Sequence, residues 1–139
     1  MMDLLAWVVA GVASLGVSAS DPASPAPGDI LAGLPDRVSD GDTFRIQGIA
    51  TRIRIWGVDA PELSTREGPA AREALCALLG DGPVACRVID RDRYGRAVAR
   101  CFAGDRDLAE DLVRRGCARD WPRYSGGAYA GVPRAGMCR

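Results

Sequence analysis

Thr51 to Val58 (TRIRIWGV) opens with apolar and basic side chains alternating at a period of two, the pattern of a half-buried β-strand. Ile53 and Ile55 point to one face, and Arg52 and Arg54 point to the other, which the alternation leaves open. Asp59-Ala-Pro-Glu62 ends the run, because Pro61 cannot donate to a central ladder. A strand buried on one face needs partners, and the sequence offers four more short runs. These are Leu34 to Val38, Thr43 to Ile46, Val84 to Ile89 and Ala97 to Phe102. Asp40-Gly41 marks a turn between the first two, and Arg91 to Gly95 joins the last two.

Two helices separate or follow these strands. Pro69 suits a first helical turn, Ala71, Leu75, Leu78 and Leu79 form an apolar stripe, and Gly80-Asp-Gly82 stops it. Asp107 can cap a second helix over Leu108 to Arg115, with Glu110 at the third position and Gly116 beyond the end. The order β-β-β-α-β-β-α predicts an α+β fold, mainly β. It suits a five-stranded barrel of OB type, with one helix between strands 3 and 4 and another after strand 5. After Gly116 the pattern weakens, and Trp121, Tyr124 and Tyr129 among Gly, Pro and Ser read as aromatic packing over a loop.

The N-terminus reads differently. Leu4 to Ala19 is nearly all apolar or small, and Val17-Ser-Ala19 suits a signal-peptidase cut, so residues 1–19 read as a signal peptide. That places the protein in the periplasm or outside the cell; the alternative is a membrane anchor over residues 4–19. Residues 20–29 are a Pro-rich linker, and the folded domain is expected over 30–139. Five cysteines follow the apolar segment, which with export implies disulfides. Cys86 and Cys101 lie nearly equidistant from the Tyr94 turn on two strands that pair, so they can face each other. Cys76, Cys117 and Cys138 have no assignable partners. An odd count leaves one thiol for an intermolecular bond, so the expectation is a monomer with scope for a disulfide-linked dimer.

Absences narrow the chemistry. The chain has no His and no Lys, so all eighteen basic residues are Arg. Without His, Ser-His and Cys-His nucleophile pairs are excluded and a carboxylate is the natural candidate for a general base. Without C-x-x-C or His, a zinc site is improbable. Net charge is zero, so any polyanion must be held by a local patch, and Arg87 to Arg106 supplies six Arg against three Asp.

Phosphodiester hydrolysis needs a hard cation on oxygen ligands, an acid that activates water and cations that offset charge on phosphorus. Asp42 and Asp59 suit the first role, Glu62 the second, Arg54 and Arg96 the third, all at strand ends or turns.

DGDT (Asp40 to Thr43), RIRIWGVDAPE (Arg52 to Glu62), DRDRYGR (Asp90 to Arg96) and DLAEDLVRRGCA (Asp107 to Ala118), in that order and spacing, resemble the staphylococcal nuclease (thermonuclease) family. The resemblance spans about Leu34 to Tyr124. It implies an OB-fold barrel and Ca²⁺-dependent cleavage of DNA and RNA with little sequence preference. It implies Asp42, Asp59 and the Ala60 backbone carbonyl as calcium ligands, and Asp40 orienting metal-bound water. Arg54 and Arg96 would bind the scissile phosphate, Glu62 would act on the water, and Arg93 and Tyr94 would line the nucleotide subsite. Two departures stand out: a short loop after Glu62, and a C-terminal helix shortened by Gly131-Val-Pro133. The alternative reading is a catalytically inactive OB-type nucleic-acid-binding module, which would bind nucleic acid without cleaving it.

Overall fold

The computed structural model describes residues 24–138; the apolar segment 4–19 and the start of the linker lie outside the described residues. The strands are β1 Ile30–Gly33, β2 Pro35–Asp40, β3 Thr43–Ile46, β4 Ile53–Ile55, β5 Val58–Asp59, β6 Val84–Arg91, β7 Ala97–Ala103, β8 Arg106–Asp107 and β9 Arg119–Asp120. The helices are α1 Gly68–Leu79, α2 Leu108–Arg114 and the one-turn α3 Pro122–Ser125.

The main sheet runs β1-β6-β7-β4-β3-β2, with β8 added on β7. All pairings are antiparallel except β4 with β7. Its two outermost strands, β1 and β2, are separated in the chain only by Leu34. A sheet whose opposite edges are one residue apart must curl round on itself. The α+β barrel architecture is thus the one expected, with β1 and β2 as two halves of one bent strand. The bend falls at Gly33, whose φ of +153° favours glycine and whose missing Cβ leaves room for Ile46, 2.8 Å from where it would stand. Register shifts in β2–β3 and between Val88 and Asp90 in β6–β7 add the curvature that closure requires.

Alternation fills the interior. Phe44, Ile46, Ile53, Ile55, Val84 and Val88 are buried with α1 residues Ala71, Ala74, Leu75, Leu78 and Leu79. The stripe read from the sequence is the face α1 buries. α2 is capped by Asp107, whose carboxylate accepts from Ala109 N at 3.0 Å, and it buries Leu108, Leu112 and Val113. Asp107 also accepts from Tyr129 Oη at 2.8 Å and Arg100 Nη2 at 3.1 Å. Tyr129 is therefore a core residue rather than a loop cover, and burial, with the Asp107 hydrogen bond, pushes its phenol well above the usual range.

The Thr51 to Val58 run is not one strand. Trp56-Gly57 breaks it, and β5 leaves the main sheet to pair with β9. Cys86 and Cys101 are register partners in β6–β7 and are disulfide-bonded. A second disulfide, Cys117–Cys138, ties the C-terminal segment beside α2, where Ala135 N also donates to Arg114 O at 2.9 Å. The C-terminal helix is indeed short, and a covalent strap follows it. Cys76 is the free cysteine among the described residues, exposed on α1. No helix among the described residues is long and apolar enough to cross a membrane.

Candidate active site

The turn between β2 and β3, the β4–β5 bend and the β6–β7 turn converge at one end of the barrel. Asp42 is buried at the first of these. Its carboxylate accepts from Ala60 N at 3.0 Å and Thr43 Oγ1 at 3.3 Å, and lies 3.4 Å from Arg54 Nη2. Asp40 accepts from Asp42 N at 3.1 Å, fixing the turn. Gly41 packs where a Cβ would meet Ala60 and Ala71, so no larger residue fits between this turn and α1.

Arg54 is the centre of the cluster. Its Nη1 donates to the Ile55 and Val58 carbonyls at 2.5 and 2.9 Å, and its Nη2 lies 3.7 Å from Asp59. Trp121 covers it, with the guanidinium 5.7 Å from the ring centroid. The alternation predicted an open face for Arg54, yet the residue is buried. A strand pattern cannot show that two turn carbonyls, two acids and a distant ring enclose it. Burial pushes the Asp42 carboxyl up to about 7, with Arg54 opposing the shift.

Arg96 joins from the β6–β7 turn. Its Nε donates to Asp92 at 2.6 Å and its Nη1 donates to Thr43 Oγ1 at 3.2 Å. Thr43 in turn donates to Asp42, so one chain of polar contacts runs from Asp92 through Arg96, Thr43, Asp42 and Arg54 to Asp59. Burial alone would raise the Asp92 carboxyl, but hydrogen bonds from Arg96 and the Tyr94 N–H hold it below its ordinary value. Arg93 Nη2 donates to Tyr94 Oη at 2.9 Å, and the Arg96 guanidinium sits 5.5 Å from the Tyr94 ring.

Glu62 stands slightly apart. Its carbonyl accepts from Thr65 N and Oγ1 at 2.9 and 2.6 Å, so its backbone is anchored in a tight turn. The residue is exposed, makes no ion pair among the described residues, and lines a cavity of about 790 Å³ with Asp59, Ala60 and Arg66. The structure thus brings Asp42, Asp59, Ala60, Arg54 and Arg96 into one network and places Glu62 on its rim.

A groove of about 790 Å³ runs from Arg54 and Arg96 along Arg93 and Tyr94 to Trp121, Arg123 and Tyr124. The last three were missed as site residues. Trp121 and Tyr124 pack edge to face at 4.5 Å and keep 38% and 53% exposure, so they offer ring surface to a ligand. Their one sequence signal was two aromatics in a polar stretch.

Whether a hard cation fits here turns on the donors. Asp42 and Asp59 offer oxygen ligands flanking one guanidinium nitrogen, and burial makes the Asp42 charge costly without a cation. No three acidic or sulfur side chains converge as a cage among the described residues. Asp42, Asp59, the Ala60 backbone carbonyl and water would make an all-oxygen donor set of the kind calcium takes.

Comparison with known proteins adds a separate observation. The family described as staphylococcal nuclease homologue matches residues 52–130. The chain is 36% identical over 73 residues to a probable staphylococcal-like nuclease of Oryza sativa subsp. japonica, covering 52% of this chain and 22% of that protein. It is 37% identical over 105 residues to a succinoglycan biosynthesis protein of Rhizobium meliloti, covering 67% and 54%. It is 33% identical over 92 residues to an uncharacterized endonuclease of Escherichia coli O157:H7, covering 64% and 60%. The chain therefore spans about a fifth to three fifths of the length of these relatives.

Proposed function

Because the chain belongs to the staphylococcal nuclease family, we propose that it is a calcium-dependent nuclease hydrolysing phosphodiester bonds in DNA and RNA with little sequence preference. The observation that supports this most directly is the polar chain linking Arg96, Thr43, Asp42, Arg54 and Asp59. It fixes two guanidinium groups and two carboxylates at one end of a groove of about 790 Å³.

In this reading Arg54 and Arg96 bind the scissile phosphate and offset the charge that grows on it during attack. Arg54 is held by two carbonyls, so it is preorganised and loses little freedom when substrate arrives. Glu62 takes the proton of the attacking water or positions it, a role its exposed carboxylate permits. Asp42, Asp59 and the Ala60 carbonyl would hold calcium, with Asp40 steadying their turn. When bound, the ion supplies further positive charge at the phosphate oxygens. Arg93, Tyr94, Trp121 and Tyr124 seat a nucleotide, with stacking that does not discriminate between bases. Two disulfides support an oxidising compartment, in keeping with export.

The test is cleavage of single-stranded DNA and RNA by the purified chain with Ca²⁺ and with a chelator. Cleavage that stops on chelation is expected, and Glu62→Gln should slow it by about 10²–10⁴-fold without changing the melting temperature. A folded protein that cleaves equally well in chelator, or binds nucleic acid and leaves it intact, overturns the proposal.

A further inference from the structure

Thr43 and Arg54 are cross-strand partners on the face of β3–β4 that carries the active site. Continuing that antiparallel register past the end of β4 brings Arg45 on β3 opposite Arg52, the residue just before β4. At the strand rise of about 3.3 Å per residue, this pair begins roughly 7 Å from the Thr43–Arg54 pair. On the neighbouring β2, Arg37 is exposed beside the buried Val38, which pairs with Phe44. Arg37 on β2, Arg45 on β3 and Arg52, the residue just before β4, therefore line one groove of about 550 Å³, and α1 adds Arg72 at its rim. Glu73 is the acid lining it.

Among the described residues none of these four arginines forms an ion pair; Arg72 Nε donates to the Val38 carbonyl at 2.9 Å, and Arg52 Nη2 to the Tyr94 carbonyl at 3.3 Å. Like charges side by side across strands destabilise a sheet. What sets this row apart is that four arginines without an acidic partner line one groove, with Glu73 as its one acid.

We propose that this row is a second binding limb, which grips backbone phosphates of a single-stranded polynucleotide several residues away from the bond being cut. It rests on the nuclease reading above and extends it: the natural substrate is a polymer, not a short oligonucleotide. The Arg52–Tyr94 contact makes the row continuous with the stacking groove, and Leu63 and Ser39 border it next to Glu62 and Asp40. A strand lying across both limbs is clamped on either side of the active centre. The arginines read phosphate, so this limb adds affinity without sequence preference.

The test compares the full chain with Arg37→Gln/Arg45→Gln, both exposed positions outside the proposed catalytic machinery. Binding is measured on the Glu62→Gln background with Ca²⁺, using oligothymidylate of about 20 nucleotides and a trinucleotide, over a salt series. Losing two phosphate contacts should reduce the salt slope for the long strand by about 1.4, and weaken its binding roughly tenfold at low salt. Trinucleotide binding should be unchanged, as should its cleavage in the Glu62 background. Arg37→Lys/Arg45→Lys should restore most of the slope, which separates lost charge from lost fold. An unchanged slope for the long strand, or equal losses for both lengths, overturns the second limb. So does a row that binds heparin or anionic vesicles but leaves long-strand DNA binding untouched. If the parent chain neither binds nor cleaves any nucleic acid, the nuclease reading itself has failed, a distinguishable result.

Discussion

Cys138→Ser frees the C-terminal strap and gives a measure of what replaces a long C-terminal helix in this barrel. The bond it removes closes a loop of 21 residues between Cys117 and Cys138. In the chain-entropy model such a loop restricts the unfolded chain by about 11 cal/mol/K, which is about 3.3 kcal/mol at 25 °C. A domain of about 115 residues unfolds with an entropy of roughly 0.24 kcal/mol/K near its midpoint. The melting temperature should therefore fall by about 14 °C. Cys138 is the better partner to replace, because Cys117 is fully buried and is left as a small apolar side chain. The assay is thermal unfolding by circular dichroism without reductant, with cleavage measured well below both midpoints. Cleavage should survive, since no hydrogen bond or ion pair joins the strap to the Asp92-to-Asp59 network. A fall of less than about 4 °C would refute the reasoning, showing that the strap constrains little of the unfolded chain. An unchanged midpoint with abolished cleavage would instead make the strap part of the active-site wall, through the cavity it shares with Glu62.

Asp92 has a folded value held below its ordinary one, so its pairing with Arg96 stabilises the native state above the unfolded carboxylate range. That contribution is lost as pH falls through the lowered folded value, and Asp92→Asn should flatten the acid limb of a stability–pH curve below the ordinary carboxylate value of 3.8; an identical limb would show that the pair is not coupled to folding. Gly68→Ala places a Cβ 2.6 Å from Leu63 Cα and 2.8 Å from the Glu62 carbonyl carbon, so the Glu62 turn must move. Catalytic turnover should drop at least tenfold while nucleic-acid binding changes little, and a normal rate in crystals or solution would show that the turn has slack. Alkylation of the native, unreduced chain should modify one thiol, Cys76, and five after reduction in denaturant; more than one native thiol would contradict one of the two disulfides.

The elements with regular periodicity could be read directly from the sequence. Alternation located the strands of the barrel, and the Leu75, Leu78 and Leu79 stripe located α1 and its buried face. Cys86 and Cys101 could be matched because a short turn fixes the register of the strands on either side. Cys117 and Cys138 could not, because the chain between them is irregular and has no register to count along. β1 was missed for a related reason: four residues ending in glycine carry no period until a distant strand supplies hydrogen bonds. The acids and arginines of the site were visible as residue types in order. Their geometry was not, since Arg54 owes its burial to Val58, Asp42 and Trp121, three different parts of the chain.

The barrel closes by pairing β1 with β6, so residues near position 30 wait for partners near position 86. At synthesis rates of about 5–20 residues per second, that separation amounts to roughly 3–11 s during which β2 can pair with β3 but β1 is made and has no partner strand. Until then the nascent sheet has two open flanks, the state in which strand edges recruit the wrong neighbours. Folding of this chain is thus timed by its middle. The β6–β7 hairpin, once made and locked by Cys86–Cys101, is the template on which the oldest part of the polypeptide finally sets.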